Sequence, residues 1–293
     1  MNYRHAYHAG NFADVLKHAV LLGTLESLLQ KPTPLMYLDT HAGCGMYDLE
    51  SASSRKTGEH RGGIDRLLEA QGLPPLLRQY IDAVHVCNEG PRVRHYPGSP
   101  WLALHRLRAQ DRAVLCEVQP DEVAALRIVL AGDGRAHVHE RDGYEALPAL
   151  LPPAEKRGLV LIDPPFEAQE EEFRRIQRAL AAALSRWPRG VYAIWYPIKL
   201  TRTRDPFWRW LRGCSASSVL AAELAIRDET SPLRLNGCGM VLLNPPWKLD
   251  QVLAAALPTA ARLLGEDGRG SWRLQWIKRE LCDPRPGART APP

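Results

Sequence analysis

The apolar run Gly158–Ile162 ends in Asp163-Pro164-Pro165-Phe166, and these residue types in that order can do a particular chemistry. The Asp163 carboxylate and the Pro164 carbonyl are adjacent hydrogen-bond acceptors, able to hold both N–H bonds of a planar amine. Such an amine is a poor nucleophile, because its lone pair is delocalised into the ring. Held by two acceptors, it can turn that lone pair toward an electrophile. The Pro-Pro pair fixes the backbone and removes competing donors, while Phe166 offers a face on which a heterocycle can stack. Rate would then come from positioning and electrostatics more than from strong base catalysis. The plainer alternative is a turn that ends a strand.

Three further acids stand at the ends of apolar runs. In Leu38-Asp39-Thr40-His41-Ala42-Gly43-Cys44-Gly45, a dinucleotide fingerprint would need a third glycine at position 48, which is Asp48. A strand-end acid followed by Gly-x-Gly is instead the pattern of S-adenosylmethionine sites, although a tight structural turn would read the same. Cys116-Glu117 closes the next run, where a carboxylate can accept both ribose hydroxyls of a nucleoside. Arg141-Asp142-Gly143 closes another, where a carboxylate beside a glycine can receive an adenine amino group. All of these fall on the edge along which open α/β sheets bind ligands.

A second Pro-Pro motif, Leu243-Asn244-Pro245-Pro246-Trp247, also follows an apolar run. Chain order separates the two. Asp163 ends the fourth parallel strand, beside the first across the switch-point crevice, whereas Asn244 ends the last strand of a C-terminal hairpin. Asn244 is therefore expected to be a structural turn. The histidines near the N-terminus (His5, His8, His18, His41) show no metal-ligand spacing and read as solvated or hydrogen-bonded side chains. Lys199–Arg212 interleaves cations with Phe207, Trp208 and Trp210, which suits either an RNA platform or an amphipathic helix with buried tryptophans.

Positioning these residues requires alternating elements. Apolar residues from Phe12 to Gln30 recur at helical spacing and stop at Lys31-Pro-Thr-Pro34. Short runs at 35–38, 113–118, 136–140, 158–162, 191–196, 219–226 and 239–243 read as strands. Helical patterns at 101–110, 120–131, 168–187 and 250–264 separate most of them. The order predicts an α/β fold, mainly a parallel sheet with helices on both faces and a C-terminal antiparallel hairpin at one side. The link between the first two strands far exceeds the roughly dozen residues a crossover needs. Residues 47–92 are thus expected to be a small helical insertion, and Ser99-Pro100 a helix start with Ser99 as N-cap. The tail 283–293 is expected to be disordered.

The 293 residues are 45% hydrophobic and 24% charged, enough to bury a sizeable core and unlike a disordered, collagenous or disulfide-framed chain. The net charge of +5 permits an anionic partner without demanding one. Six scattered cysteines with no Cys-x-x-Cys pair fit reduced thiols. With no apolar signal or membrane-spanning run, the expected location is cytoplasmic.

Several segments together resemble a known family: Tyr3-Arg-His5, His8-Ala-Gly-Asn11, Asp14-Val-Leu-Lys-His18, Tyr37–Gly43, Tyr96-Pro-Gly-Ser-Pro100, Asp163–Phe166 and Trp195-Tyr-Pro197. They resemble the bacterial large-subunit ribosomal RNA adenine-N6 methyltransferases of the RlmJ type. The resemblance implies a Rossmann-like methyltransferase domain (1–46 and 93–268), S-adenosylmethionine as donor, and adenine 2030 of 23S rRNA as target. It implies that His18, His41, Ser99, Glu117, Asp142, Gly143 and Asp163 contact the cofactor or its surroundings. Asp163 would be the catalytic acceptor, and Tyr3, Pro164 and Phe166 would meet the substrate. Neither a metal nor a membrane is expected, and the protein is expected to be a monomer. The Asp-Pro-Pro-Phe motif by itself suits guanine N2 as well as adenine N6. A non-catalytic RNA-binding protein on the same fold is the rival from another class.

Overall fold

A computed structural model describes residues 5–90, 92–229 and 235–279. Tyr3 and the tail 283–293 lie outside the described residues. The strands are β1 (Met36–Asp39), β2 (Met46–Asp48), β3 (His95–Pro97), β4 (Arg112–Glu117), β5 (Ala136–Glu140), β6 (Gly158–Ile162), β7 (Val191–Ile198), β8 (Val219–Ala225), β9 (Gly237–Leu243) and β10 (Ser271–Lys278). The helices are α1 (Phe12–Leu29), α2 (Ala52–Thr57), α3 (Ile64–Leu68), α4 (Pro75–Val86), α5 (Ser99–Arg106), α6 (Pro120–Val129), α7 (Gly143–Leu150), α8 (Gln169–Arg186), α9 (Asp205–Gly213) and α10 (Leu249–Leu264).

Eight strands form one sheet in the order β10-β8-β9-β7-β6-β1-β4-β5. The pairs β5·β4, β4·β1, β1·β6 and β6·β7 are parallel. Strand β9 runs antiparallel between β7 and β8, and β10 runs antiparallel to β8. The antiparallel β8–β9 hairpin lies at one side of the sheet, as expected, with β10 added outside it. The outer edge belongs to β10, which the hydrophobic pattern did not reveal, because an edge strand buries too little to leave a continuous apolar run.

Both faces of the sheet are covered, so β1, β6 and β9 are buried at every position. One core gathers α1, α4, α5 and α10; the other gathers α7, α8 and α9. Helix α1 is capped by Asn11, whose side chain accepts from the amides of Ala13 and Asp14. Every residue from Phe12 to Leu25 is buried, including Asp14, Lys17 and His18. These three share one helix face at the i, i+3, i+4 spacing.

Between β1 and α5 the chain leaves the sheet. Strand β2 pairs with β3 as the excursion opens and closes, and α2, α3 and α4 lie between them. The expected cap of α5 needs correcting: the N-cap position is held by Gly98, and Ser99 is already helical. Its hydroxyl donates instead to Oδ2 of Asp39 at 2.7 Å. The hydroxyl thus donates its proton to a buried strand-end carboxylate, a charge-assisted bond stronger than the neutral one a cap would make by accepting from a helix amide.

Candidate active site

The C-terminal ends of β4, β1, β6 and β7 open onto one cavity of about 750 Å³. That volume lies in the range of ligand sites, roughly 300–1,000 Å³. The sheet order sets the order of the lining: Glu117 from β4, His41–Gly43 after β1, Asp163–Glu167 after β6, then Trp195 and Pro197 from β7 and Lys199 just after it. Helix α1 adds Asp14, Lys17 and His18, and Ser99 comes from α5. His18, His41, Ser99, Glu117, Asp163, Pro164 and Phe166 are therefore brought together. Asp142 and Gly143 lie on the turn after β5, outside this lining.

Asp163 is the best defined of these groups. Lys17 Nζ donates to its Oδ2 at 2.6 Å and to Asp14 Oδ1 at 2.8 Å. Burial disfavours a charged ammonium, yet the carboxylates of Asp14 and Asp163 outweigh it and hold the Lys17 pKa above its usual value. Asp14 also accepts from the Gly10 amide and pairs with His5 Nε2 at 3.0 Å. One carboxylate oxygen of Asp163 is thus fixed, and among the described residues no donor reaches Oδ1. Phe166 is half-buried and meets Phe173 and Trp195 edge-to-face, with ring centres 5.4 and 5.6 Å apart. Lys17 and Asp14 carry part of the family resemblance but have no role assigned from the sequence, although a Lys three residues after an Asp inside an apolar helix is a signal.

At the other end, the Glu117 carboxylate accepts from three amides: Gly43 to Oε2 at 2.9 Å, and Val118 and Gln119 to Oε1 at 2.8 and 2.9 Å. A carboxylate offers about four acceptor positions, so one remains, on Oε2. Gly43 and Gly45 both have positive φ, +61° and +80°, which makes this tight turn costly for any other residue. Asp39 accepts from Tyr37, Ser99 and the His41 amide; burial nevertheless pushes its pKa up to about 6.

His18 Nδ1 is bonded to the Tyr96 hydroxyl, which is bonded in turn to Tyr80. Its Nε2 is buried with no partner. Burial, reinforced by the neighbouring Lys17 charge, drives the His18 pKa down to about 3 and keeps the ring neutral. Burial also lowers the pKa of His41, which stacks edge-on to Tyr144. Asp142 caps α7 through the Tyr144 and Glu145 amides, and Arg175 takes its Oδ2 at 3.1 Å. At Gly143 a Cβ would stand 2.0 Å from the Thr40 carbonyl oxygen, so this glycine lets the turn lie against the exit of β1.

The second Pro-Pro motif stands elsewhere. Because β9 runs antiparallel, Leu243 pairs with Tyr192 near the start of β7, and Asn244 emerges at the opposite edge of the sheet. Asn244 has φ +52°; its amide nitrogen donates to the Pro188 and Gly190 carbonyls and its side-chain oxygen accepts from Ser217 N. Trp247 is 85% exposed and stacks on nothing described. Of the basic-aromatic segment, Phe207, Trp208 and Leu211 are buried, as in the amphipathic reading. Arg204 is buried too, ion-paired with Glu223 and lying over Trp208. Arg202, Arg209 and Arg212 are exposed. Among the described residues no cluster of His, Cys, Asp and Glu could hold a metal, and no helix is long and apolar enough to cross a membrane.

A mainly parallel sheet with two reversed strands, β9 and β10, on one side, and a cavity across the β1–β6 crevice holding Asp-Pro-Pro-Phe, defines a Rossmann-like methyltransferase. Comparison with known proteins narrows the class. Residues 32–278 match the family described as "Ribosomal RNA large subunit methyltransferase D, RlmJ". The chain belongs to this family. It is 40% identical to ribosomal RNA large subunit methyltransferase J of Haemophilus influenzae, covering 96% of this chain and all of that one. Identity to the Escherichia coli protein of the same name is 39%, covering 94% of this chain and 99% of that one. The crystal structure of protein LPL1258 from Legionella pneumophila superposes with a TM-score of 0.84 at 37% identity, covering 92% and 98% of the two chains.

Proposed function

We propose that this protein transfers a methyl group from S-adenosylmethionine to N6 of an adenine in 23S ribosomal RNA, the target implied by the resemblance being adenine 2030. The observation that carries the reading is the pairing, in one cavity, of a fixed Asp163 bearing an open Oδ1 with a strand-end Glu117 bearing an open acceptor on Oε2.

The residues fit such a donor. Glu117 retains room for a ribose hydroxyl, and the buried, unpartnered His18 Nε2 supplies a polar contact that the apoprotein leaves unmet. His41 and Ser99 line the same end, Gly143 brings the β5 turn against it, and Asp142 keeps a lone pair on Oδ2 beside Arg175 for an adenine amino group. Bound there, S-adenosylmethionine supplies an electrophilic methyl on a sulfonium. Asp163 Oδ1 and the Pro164 carbonyl accept the two N6–H bonds, which localises the lone pair out of the ring plane. Phe166 stacks on the base, and Tyr3 is assigned to the substrate on the resemblance alone. Lys17 holds Asp163 by its other oxygen, so the acceptor is positioned before the amine arrives. Once nitrogen has gained its methyl and become cationic, Asp163 takes the surplus proton.

The test is methylation in vitro. Large-subunit RNA from cells lacking the gene, incubated with protein and labelled donor, should gain N6-methyladenosine, identified by nucleoside mass spectrometry. N2-methylguanosine instead would transfer the same geometry to guanine, and no product would return the protein to the RNA-binding alternative.

A further inference from the structure

Asp163 divides the cavity. Toward β1 and β4 lie the groups assigned to the methyl donor; on the other side of β6 the lining includes Phe166, Trp195, Ile226 and Leu235 beside the charged Glu167 and Lys199. Its aromatic and aliphatic walls suit a base withdrawn from its stack, and the cations lining the whole cavity differ in one respect. Lys17 has two carboxylates, Arg227 is paired with Glu266, and Arg66 donates to the Leu263 and Gly265 carbonyls. Lys199 is half-buried, and no described residue supplies a partner for its ammonium. A partly desolvated charge left unpaired is unfavourable unless an anion completes it.

The backbone at Lys199 is held firmly. Its carbonyl accepts from the side chain of the fully buried Asn236, whose own amide donates to the Ile198 carbonyl. Two residues on, the Thr201 amide donates to Glu229. The ammonium therefore projects from a fixed strand end, beside aromatic walls and next to the Asp163 acceptor in sheet order. We propose that Lys199 binds a phosphate of the target nucleotide, anchoring the RNA backbone while the base lies against Phe166. This assignment rests on the RNA-methylation reading.

Lys199→Met keeps the aliphatic stem and removes the charge, so it tests the contact without opening a hole. Expected are a roughly three- to tenfold rise in KM for RNA and a salt dependence of RNA binding shallower by about 0.7 in log–log slope, one single-strand phosphate contact. The kcat at saturating RNA and the affinity for S-adenosylhomocysteine should hold, and Lys199→Arg should restore most of the KM. An unchanged slope and KM in an active, folded variant would overturn the assignment alone. A loss of S-adenosylhomocysteine affinity would place Lys199 in the donor lobe instead. Absence of RNA-dependent transfer by the wild type would sink the proposed function, and the Lys199 assignment with it.

Discussion

Lys17 and Asp163 meet at 2.6 Å across 146 positions of sequence, and this ion pair fixes the acceptor on which the amine is proposed to be oriented. Asp163→Ala leaves Lys17 its second partner, Asp14, so the fold should survive. Single-turnover methyl transfer should fall by about 10²-fold or more, because the amine loses one of its two acceptors. Retention of most of the rate would remove Asp163 from the reaction. At the donor end, Glu117→Ala deprives the cofactor of a charged acceptor, so S-adenosylhomocysteine affinity should drop at least about tenfold. Calorimetry checks this, with a melting curve to separate it from the loss felt by the three amides that Glu117 also accepts.

At the level of elements, two turns show what the sheet demands. Gly143→Ala would push a Cβ to 2.0 Å from the Thr40 carbonyl, where only backbone movement could relieve it. A stability loss of about 1–3 kcal/mol is expected in urea titrations, with weakened donor binding because the exit of β1 shifts. Asn244→Ala gives up three hydrogen bonds that join the starts of β7 and β8 to the end of β9, and it places alanine at a positive φ. It too should cost about 1–3 kcal/mol. Turnover per folded molecule should nevertheless match the wild type, since this turn lies at the edge of the sheet away from the cavity. Abolished transfer in a folded Asn244→Ala variant would put the active site on the wrong strand.

For the whole molecule, acid should act through His18. Its folded-state pKa, about 3, lies below the unfolded value near 6.5, so the unfolded chain binds more protons between those limits. Stability from keeping the ring neutral is complete above pH 6.5 and is lost as the pH falls toward 3. By pH 4 the loss is on the order of 3 kcal/mol. His18→Asn should flatten the decline of unfolding free energy between pH 6.5 and 4, measured by urea melts across that range. The opposite shift of Asp39, whose carboxyl is raised to about 6, works against this trend and is present in both proteins. An identical pH profile for the two would mean that His18 titrates freely.

Sequence alone sufficed for what depends on local pattern. Periodicity marked α1 and the buried parallel strands, because burial on both faces leaves continuous apolar runs. Strand-end acids and the Asp-Pro-Pro-Phe run marked the edge where a ligand would sit. Tertiary structure decided the rest, because the deciding contacts join residues far apart in the chain. It paired Lys17 with Asp163, gave the Ser99 hydroxyl to Asp39 rather than to a helix end, and buried Arg204 against Glu223, while among the described residues Lys199 has no counter-charge. It also separated two nearly identical Pro-Pro turns: strand direction sends Asp163 into the cavity and Asn244 to the opposite edge, and no residue within either motif encodes that direction.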